Sequence, residues 1–280
     1  MEDELYTIEG DSQLKRSNTM KRIRKIIDDQ NGSALMVLAE TPEYIQAYLK
    51  AGVKMFEIHG GSIFKGWNKH ITLQPTSLAE RAENLQIVRE MTGEDAYITS
   101  GHANGCFTSP VMPVPFTYND SFVLSAAGAD GCHSHKCDWK DLENLVKIAH
   151  RYGLVVEAYI SHSKDKYHYF GLPADTPADV SKATKRMESI GVDLIGIMSG
   201  QTYVGLQGHS ISPDVKDRIN ALVDTATVPT FIEGGMTMDT YKEFKDTGIQ
   251  VVVIWTAFKE MAMKTVEDAA KQIIAYKPKR

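Results

Sequence analysis

Short apolar runs recur along the chain, each followed by a cluster of Gly, Ser or His and then by an amphipathic segment. Strands covered by helices on one side and buried on the other read as short apolar runs, because neither face meets water. The pattern predicts eight strands, over Ala34–Ala39, Lys54–His59, Ala96–Gly101, Gly128–His133, Leu154–Ile160, Leu194–Met198, Thr230–Glu233 and Val251–Trp255. Helices are expected between them. Thr41-Pro42, Thr176-Pro177 and Ser212-Pro213 pair a capping hydroxyl with a proline suited to the first helical turn. Gly52, Gly93, Gly153, Gly191 and Gly248 stand where helices close before the next strand. A helix is also expected from Met238-Asp239.

Eight strands alternating with helices imply a parallel sheet, closed into a (β/α)8 TIM barrel with an extra N-terminal helix. An open doubly wound sheet is the alternative. Residues 1–32 are expected to be an N-terminal extension and helix, and residues 33–280 a single barrel domain. Two connections, Gly60–Thr76 and Ala103–Asn119, are long enough to cover the barrel mouth. The basic run from Lys15-Arg16 to Lys25 is read as the solvated face of the leading helix.

Composition narrows the function. The 280 residues carry a net charge of -5, which argues against a general affinity for nucleic acid or acidic membranes. Three cysteines with no C-x-x-C pair fit a reducing compartment rather than a disulfide framework. The N-terminus has no apolar targeting core, and no stretch approaches the ~20 apolar residues that span a bilayer. A soluble cytoplasmic protein is expected.

Barrel enzymes place their chemistry where the strands end. Those ends carry Glu40, Glu57, His59, His102, His133, His135, Glu157, His162 and Glu233. Imidazoles and carboxylates ligate divalent ions and move protons. Glu57, His59, His102 and Glu233 are therefore the expected ligands of a divalent metal (Zn, Mn, Fe or Mg). Glu157, His133 and Glu233 are the expected catalytic groups. His133 and His135, two apart on one strand, are expected to differ in depth, so that only one reaches an ion. His150 is expected at the surface, and Cys132 is read as a buried, inert thiol. Loops after the last strands commonly bind phosphate through backbone N–H groups. Ser199, Gly200, Gly234, Gly235 and Thr256 are the expected phosphate ligands. No lysine sits at a strand end in a way that suggests a Schiff base, Lys136 being the nearest.

On these residues the chain resembles the ribulose-phosphate-binding barrel superfamily, which includes ribulose-phosphate 3-epimerase and the sugar-phosphate decarboxylases. Ser199-Gly200-Gln201 is similar to the epimerase loop after strand six, and Ile232-Glu233-Gly234-Gly235 to its seventh-strand motif. The resemblance puts Glu233 where the epimerases carry an aspartate that binds metal and moves a proton. It puts His59 and His102 on the strands that supply metal-binding histidines, and Thr256-Ala257 on the phosphate motif of strand eight. The sequence departs from that pattern at Glu57-Ile58-His59, where His-x-Asp stands in the family. It departs again at Ser100-Gly101-His102 and at Trp255, which replaces a glycine.

The resulting expectation is a metal-assisted epimerase or isomerase that acts on a small phosphorylated sugar or hydroxy acid through an enediolate. A carbon–carbon lyase, either an aldolase or a decarboxylase, is the alternative. A non-catalytic metabolite-sensing barrel is a third reading. A homo-oligomer is compatible with all three.

Overall fold

The computed structural model describes residues 2–58, 77–101, 116–164, 171–199, 211–234, 236–238, 240–254 and 256–275, with backbone only at 2–9 and 256. The strands are β1 (Ala34–Leu38), β2 (Met55–Ile58), β3 (Tyr97–Gly101), β4 (Gly131–Ser134), β5 (Val155–Ser161), β6 (Leu172–Pro173), β7 (Leu194–Met198), β8 (Thr230–Glu233) and β9 (Val251–Ile254). Around them lie α1 (Glu2–Asp29), α2 (Pro42–Lys50), α3 (Leu78–Thr92), α4 (Tyr118–Ala126), α5 (Trp139–Arg151), α6 (Pro177–Ser189), α7 (Pro213–Thr225), α8 (Tyr241–Lys245) and α9 (Thr256–Ala275).

Every strand pair is parallel, and two pairings decide the architecture. β1 pairs with both β2 and β9, while β4 pairs with β5. The ring is closed, which excludes the open sheet and makes the fold a (β/α)8 barrel. The short β6 only extends the edge of β5, with Ile160 opposite Leu172. It lies outside the eightfold pattern and was not expected from the sequence.

Alternation along the strands sorts their side chains into two cores. On β5, Val155 and Tyr159 point into the barrel, while Val156, Ala158 and Ile160 face the helices. Met55, Tyr97, Leu194, Met198, Phe231, Val251 and Val253 share the inner core. Gly196 lets the Phe231 ring cross the interior, since a Cβ there would sit 2.4 Å from the ring.

Local signals account for the helices. Thr41, Thr176 and Ser212 accept backbone N–H bonds at the starts of α2, α6 and α7, each followed by proline. Ser77 and Thr117 form capping boxes with Glu80 and Asp120. The helix expected from Met238 begins at Tyr241, because Thr237 and Thr240 bond each other and hold the preceding turn. β4 begins three residues later than expected. Gly128, at φ 101°, is still turning the chain out of α4, and Asp130 is committed to ion pairs.

α1 closes the N-terminal end of the barrel. Ile23, Ile26 and Ile27 are buried in the inner core beside Ala34, Val155 and Val251. Burying each isoleucine is worth roughly 2 kcal/mol. Contrary to expectation, the basic run does not simply face solvent. Arg22 and Arg89 both bind Asp130, the latter at 2.6 Å. Arg16 binds Asp193 at 2.9 Å, and Lys15 donates to Ser125 Oγ at 2.7 Å. His150, expected at the surface, is partly buried and lies 2.9 Å from the same Asp193. At the other end of the chain, Ala257 packs on the barrel, but Met261, Met263, Val266, Ile273 and Ile274 of α9 are exposed. Among the described residues no helix is long and apolar enough to cross a membrane.

Candidate active site

The inward parity of four strands assembles one polar cluster near their C-terminal ends. Glu57 shares its side of β2 with Met55, His133 its side of β4 with Gly131, Glu157 its side of β5 with Val155 and Tyr159, and Glu233 its side of β8 with Phe231. Register aligns them, since His133 lies opposite Gly101 on one side and Glu157 on the other. Glu57, His133 and Glu157 are essentially inaccessible, whereas His135 and Glu233 are 7% and 9% exposed. The last two therefore form the accessible side of the cluster.

The hydrogen bonds are dense. His133 Nδ1 lies 2.9 Å from Glu57 Oε1 and 3.1 Å from Glu157 Oε2. Its Nε2 faces His135 Nε2 at 2.6 Å. The Tyr97 hydroxyl donates to Glu157 Oε1 at 2.6 Å. The Tyr159 hydroxyl donates to Glu233 Oε2 and lies 3.4 Å from His133 Nδ1. The rings of His133, His135 and Tyr159 pack edge-on or tilted, with centroids 4.5–5.0 Å apart.

Electrostatics follow from burial and these contacts. Burial opposes a charge on His133, but the Glu57 carboxylate, then Glu157, outweigh it and its pKa is pushed up to about 10. Burial, reinforced by Glu157, holds Tyr97 well above the usual phenol range; burial and Glu233 do the same for Tyr159. Both hydroxyls are thus proton donors. Among the described residues, three carboxyl groups and two imidazoles converge here. Buried charge of one sign is costly unless a counter-charge joins it.

A divalent cation is such a counter-charge. His133, His135 and Glu233 each offer a ligand atom, and all three atoms lie within 4.8 Å of one another. Donors about 2.1 Å from one tetrahedral ion lie ~3.4 Å apart, so an ion would enter as the two imidazole nitrogens, now 2.6 Å apart, part slightly. The two His133 nitrogens divide the work: Nδ1 is occupied by carboxylates while Nε2 faces the other ligands. Metal-binding histidines are held in this way. The donor set therefore fits a metal.

Of the expected ligands, Glu233 and Glu57 both lie in the cluster, Glu57 with Oε1 2.9 Å from His133 Nδ1, and His59 and His102 lie outside the described residues. His135 joins His133 despite the depth argument, because β4 ends at Ser134 and the chain past it turns the second ring back toward the first. Glu157, expected to move a proton, is fully buried with its oxygens on Tyr97 and His133. Ser199 is buried and donates to the Gly234 carbonyl at 2.5 Å. Gly200, Gly235 and Trp255, and the side chain of Thr256, lie outside the described residues. Glu40 lies 3.7 Å from Lys259, and His162 3.6 Å from Asp175, both apart from the cluster. Cys132 faces the outer core, where burial pushes its thiol up to about 12. Sequence reasoning missed Tyr97 and Tyr159. Their signal was inward parity on strands that also carry, or lie beside, a buried glutamate.

No known protein family matches the sequence, and no curated protein matches it. Solved structures do. A 2,3-dimethylmalate lyase, described as a PEP mutase/isocitrate lyase superfamily member, superposes with a TM-score of 0.61 at 13% identity, over 91% of this chain and 87% of that one. The likeness is one of fold. Oxaloacetate acetylhydrolase bound to 3,3-difluorooxalacetate gives 0.60 at 11% identity, over 92% and 86%. A putative phosphonomutase from Burkholderia cenocepacia J2315 gives 0.56 at 14%, over 86% and 94%. All three are compatible with the barrel expected from the sequence. Kinship with the ribulose-phosphate epimerases in particular gains no support from them.

Proposed function

We propose that this barrel is a metal-assisted carbon–carbon lyase that cleaves a small hydroxy or oxo acid. The observation that carries the reading is the convergence of His133, His135 and Glu233 on one point, backed by Glu57, Glu157 and Tyr159. A pure scaffold gains nothing from burying so many ionisable groups. Two nitrogen donors and one carboxylate favour zinc, iron or manganese over magnesium, which prefers oxygen ligands.

His133, His135 and Glu233 would hold the ion. When bound, a divalent cation there supplies a Lewis acid for a carbonyl oxygen and for the enolate formed on cleavage. His135 and Glu233, on the accessible side, are the groups that substrate meets. Tyr159 donates to Glu233, so this pair can accept a proton from the hydroxyl of a hydroxy acid, or of the hydrate that water forms at an oxo carbon, and return one to the product carbon. Glu57 and Glu157 keep His133 oriented. An anionic group of the substrate, carboxylate or phosphate, is assigned to the loop around Gly234, whose φ of 112° suits a close backbone approach.

Cleavage is preferred to epimerisation because two of the similar folds are a 2,3-dimethylmalate lyase and an oxaloacetate acetylhydrolase. Both reactions need the same enolate-stabilising site, so product analysis separates them. Purified protein is expected to carry or take up one divalent ion, and to release a smaller carbonyl or carboxylate fragment from a branched hydroxy diacid or a 2-oxo diacid. A protein that binds no divalent ion would sink the reading. Turnover that only inverts or isomerises the substrate would return it to the epimerase class.

A further inference from the structure

One residue of the cluster never reaches its accessible side, yet three strands are shaped around it. Tyr97 sits low on β3, with its hydroxyl passing over β4 to reach Glu157 on β5. It can cross only because residue 131 is glycine. A Cβ at Gly131 would lie 2.1 Å from the Tyr97 oxygen and 3.2 Å from Thr99 Oγ1. Two residues further along the same face of β4 stands His133. Glycine at 131 and histidine at 133 thus serve the same hydrogen-bond chain, running from Tyr97 Oη to Glu157 Oε1, and from Glu157 Oε2 to His133 Nδ1.

We propose that Tyr97 and Glu157, with Gly131 as the gap that admits them, are positioning residues that fix the His133 ring. This rests on the metal site described above and deepens it. The hydroxyl gives Glu157 Oε1 its partner and leaves Oε2 turned toward His133. Nδ1–H then points at carboxylate, and Nε2 points at the space shared with His135 and Glu233. Glu57 Oε1 of β2 lies 2.9 Å from the same Nδ1 as an ion-pair contact, so the ring sits between β2 and β5. These contacts act on an atom that touches neither ion nor substrate. Outer partners of ligating histidines typically change metal affinity by about 10- to 100-fold.

Tyr97→Phe removes the hydroxyl and leaves the ring. Gly131→Ala keeps the hydroxyl and takes its place. Both variants are titrated with Zn2+ against a chromophoric chelator, and Co2+ is used for its ligand-field absorption, with circular dichroism checking the barrel. The expected result is a loss of Zn2+ affinity of about tenfold or more in each folded variant, with altered Co2+ bands. In 15N-histidine-labelled protein without metal, the His133 Nδ1 proton is expected at low field in the wild type and shifted or broadened by exchange in Tyr97→Phe. Folded Tyr97→Phe with wild-type affinity and an unmoved Nδ1 proton would overturn the proposal. A wild type that binds neither ion would refute the metal reading instead, and the Nδ1 resonance would then decide the positioning role alone.

Discussion

The two ends of this barrel both bury charge, and they do so in opposite ways. At the floor each carboxylate is answered. Asp130 meets Arg22, Arg89 and the Ile98 N–H; Asp193 meets Arg16, His150 and the Val156 N–H. At the mouth Glu57, Glu157 and Glu233 surround two imidazoles among the described residues. The floor is built for its own sake, with satisfied pairs joining α1, α3 and α5 to the strands. The mouth instead crowds acidic groups and imidazoles together, and crowding of titratable groups is where function is expected.

The sharpest way to break this contrast is to neutralise the mouth. Glu233→Gln removes a carboxylate ligand candidate and the proton acceptor, and leaves Tyr159 an amide oxygen to donate to. Turnover is expected to fall by about 10²- to 10⁴-fold, the range for losing a proton-transferring group. Metal-free thermal stability is expected to stay level or rise, since one acidic group fewer is crowded beside Glu57 and Glu157. Calorimetry on chelator-treated protein, alongside turnover, checks both halves. A Glu233→Gln protein that loses stability and keeps activity would reverse the assignment of the two ends.

Asp130→Ala is the matching experiment at the floor. It strands the Ile98 N–H and takes the carboxylate from two guanidinium groups, which keep backbone carbonyls of Glu94, Gly93, Ala96 and Gly128. Breaking a buried pair costs about 3–5 kcal/mol, and the lower end applies here because Arg22 and Arg89 keep some solvent. Urea unfolding should show that loss, while Zn2+ affinity stays within about twofold of wild type, as expected for sites without shared partners.

The floor and the mouth were unequally legible in the sequence. Strand count, helix caps at Thr41, Thr176 and Ser212, and the gathering of glutamates and histidines at strand ends all follow from local pattern. Partnership does not. That Arg22 and Arg89, 67 positions apart, share Asp130 depends on where α1 docks, which no periodicity encodes. Depth within the mouth was illegible for a related reason. Glu157 and Glu233 look alike in sequence, but the first lies under Tyr97 and His133 and the second reaches the accessible side. Depth along a barrel axis is set by shear between strands, not by spacing along one. His135 was separated from His133 on strand geometry, although β4 had already ended.

Acidity offers a third comparison. His133 carries a pKa pushed up to about 10, against an ordinary 6.5. Between those values the folded metal-free protein holds a proton that the unfolded chain lacks. Folding stability contributed by this group is therefore complete below pH ~6.5 and is lost as pH rises through 10. Urea unfolding of metal-free protein at pH 6, 8 and 10 should show the decline. His133→Gln should flatten that part of it, and Asp130→Ala should not. An equal slope in wild type and His133→Gln would remove the imidazolium from the account.

The smallest effect comes from the floor and tests whether its satisfaction is redundant. His150 Nε2 lies 2.9 Å from Asp193 Oδ2, an oxygen that also accepts from the Val156 N–H, while Arg16 holds Oδ1. His150→Gln leaves Asp193 with two of its three partners and no stranded donor. The cost is then that of one partly exposed hydrogen bond, about 1 kcal/mol, well below that of Asp130→Ala. The α1 docking surface should persist, because Ile23, Ile26 and Ile27 hold it independently of this pair. If His150→Gln cost as much as Asp130→Ala, the floor would be a strained network with no spare partners, and the distinction drawn between the two ends would lose its physical basis.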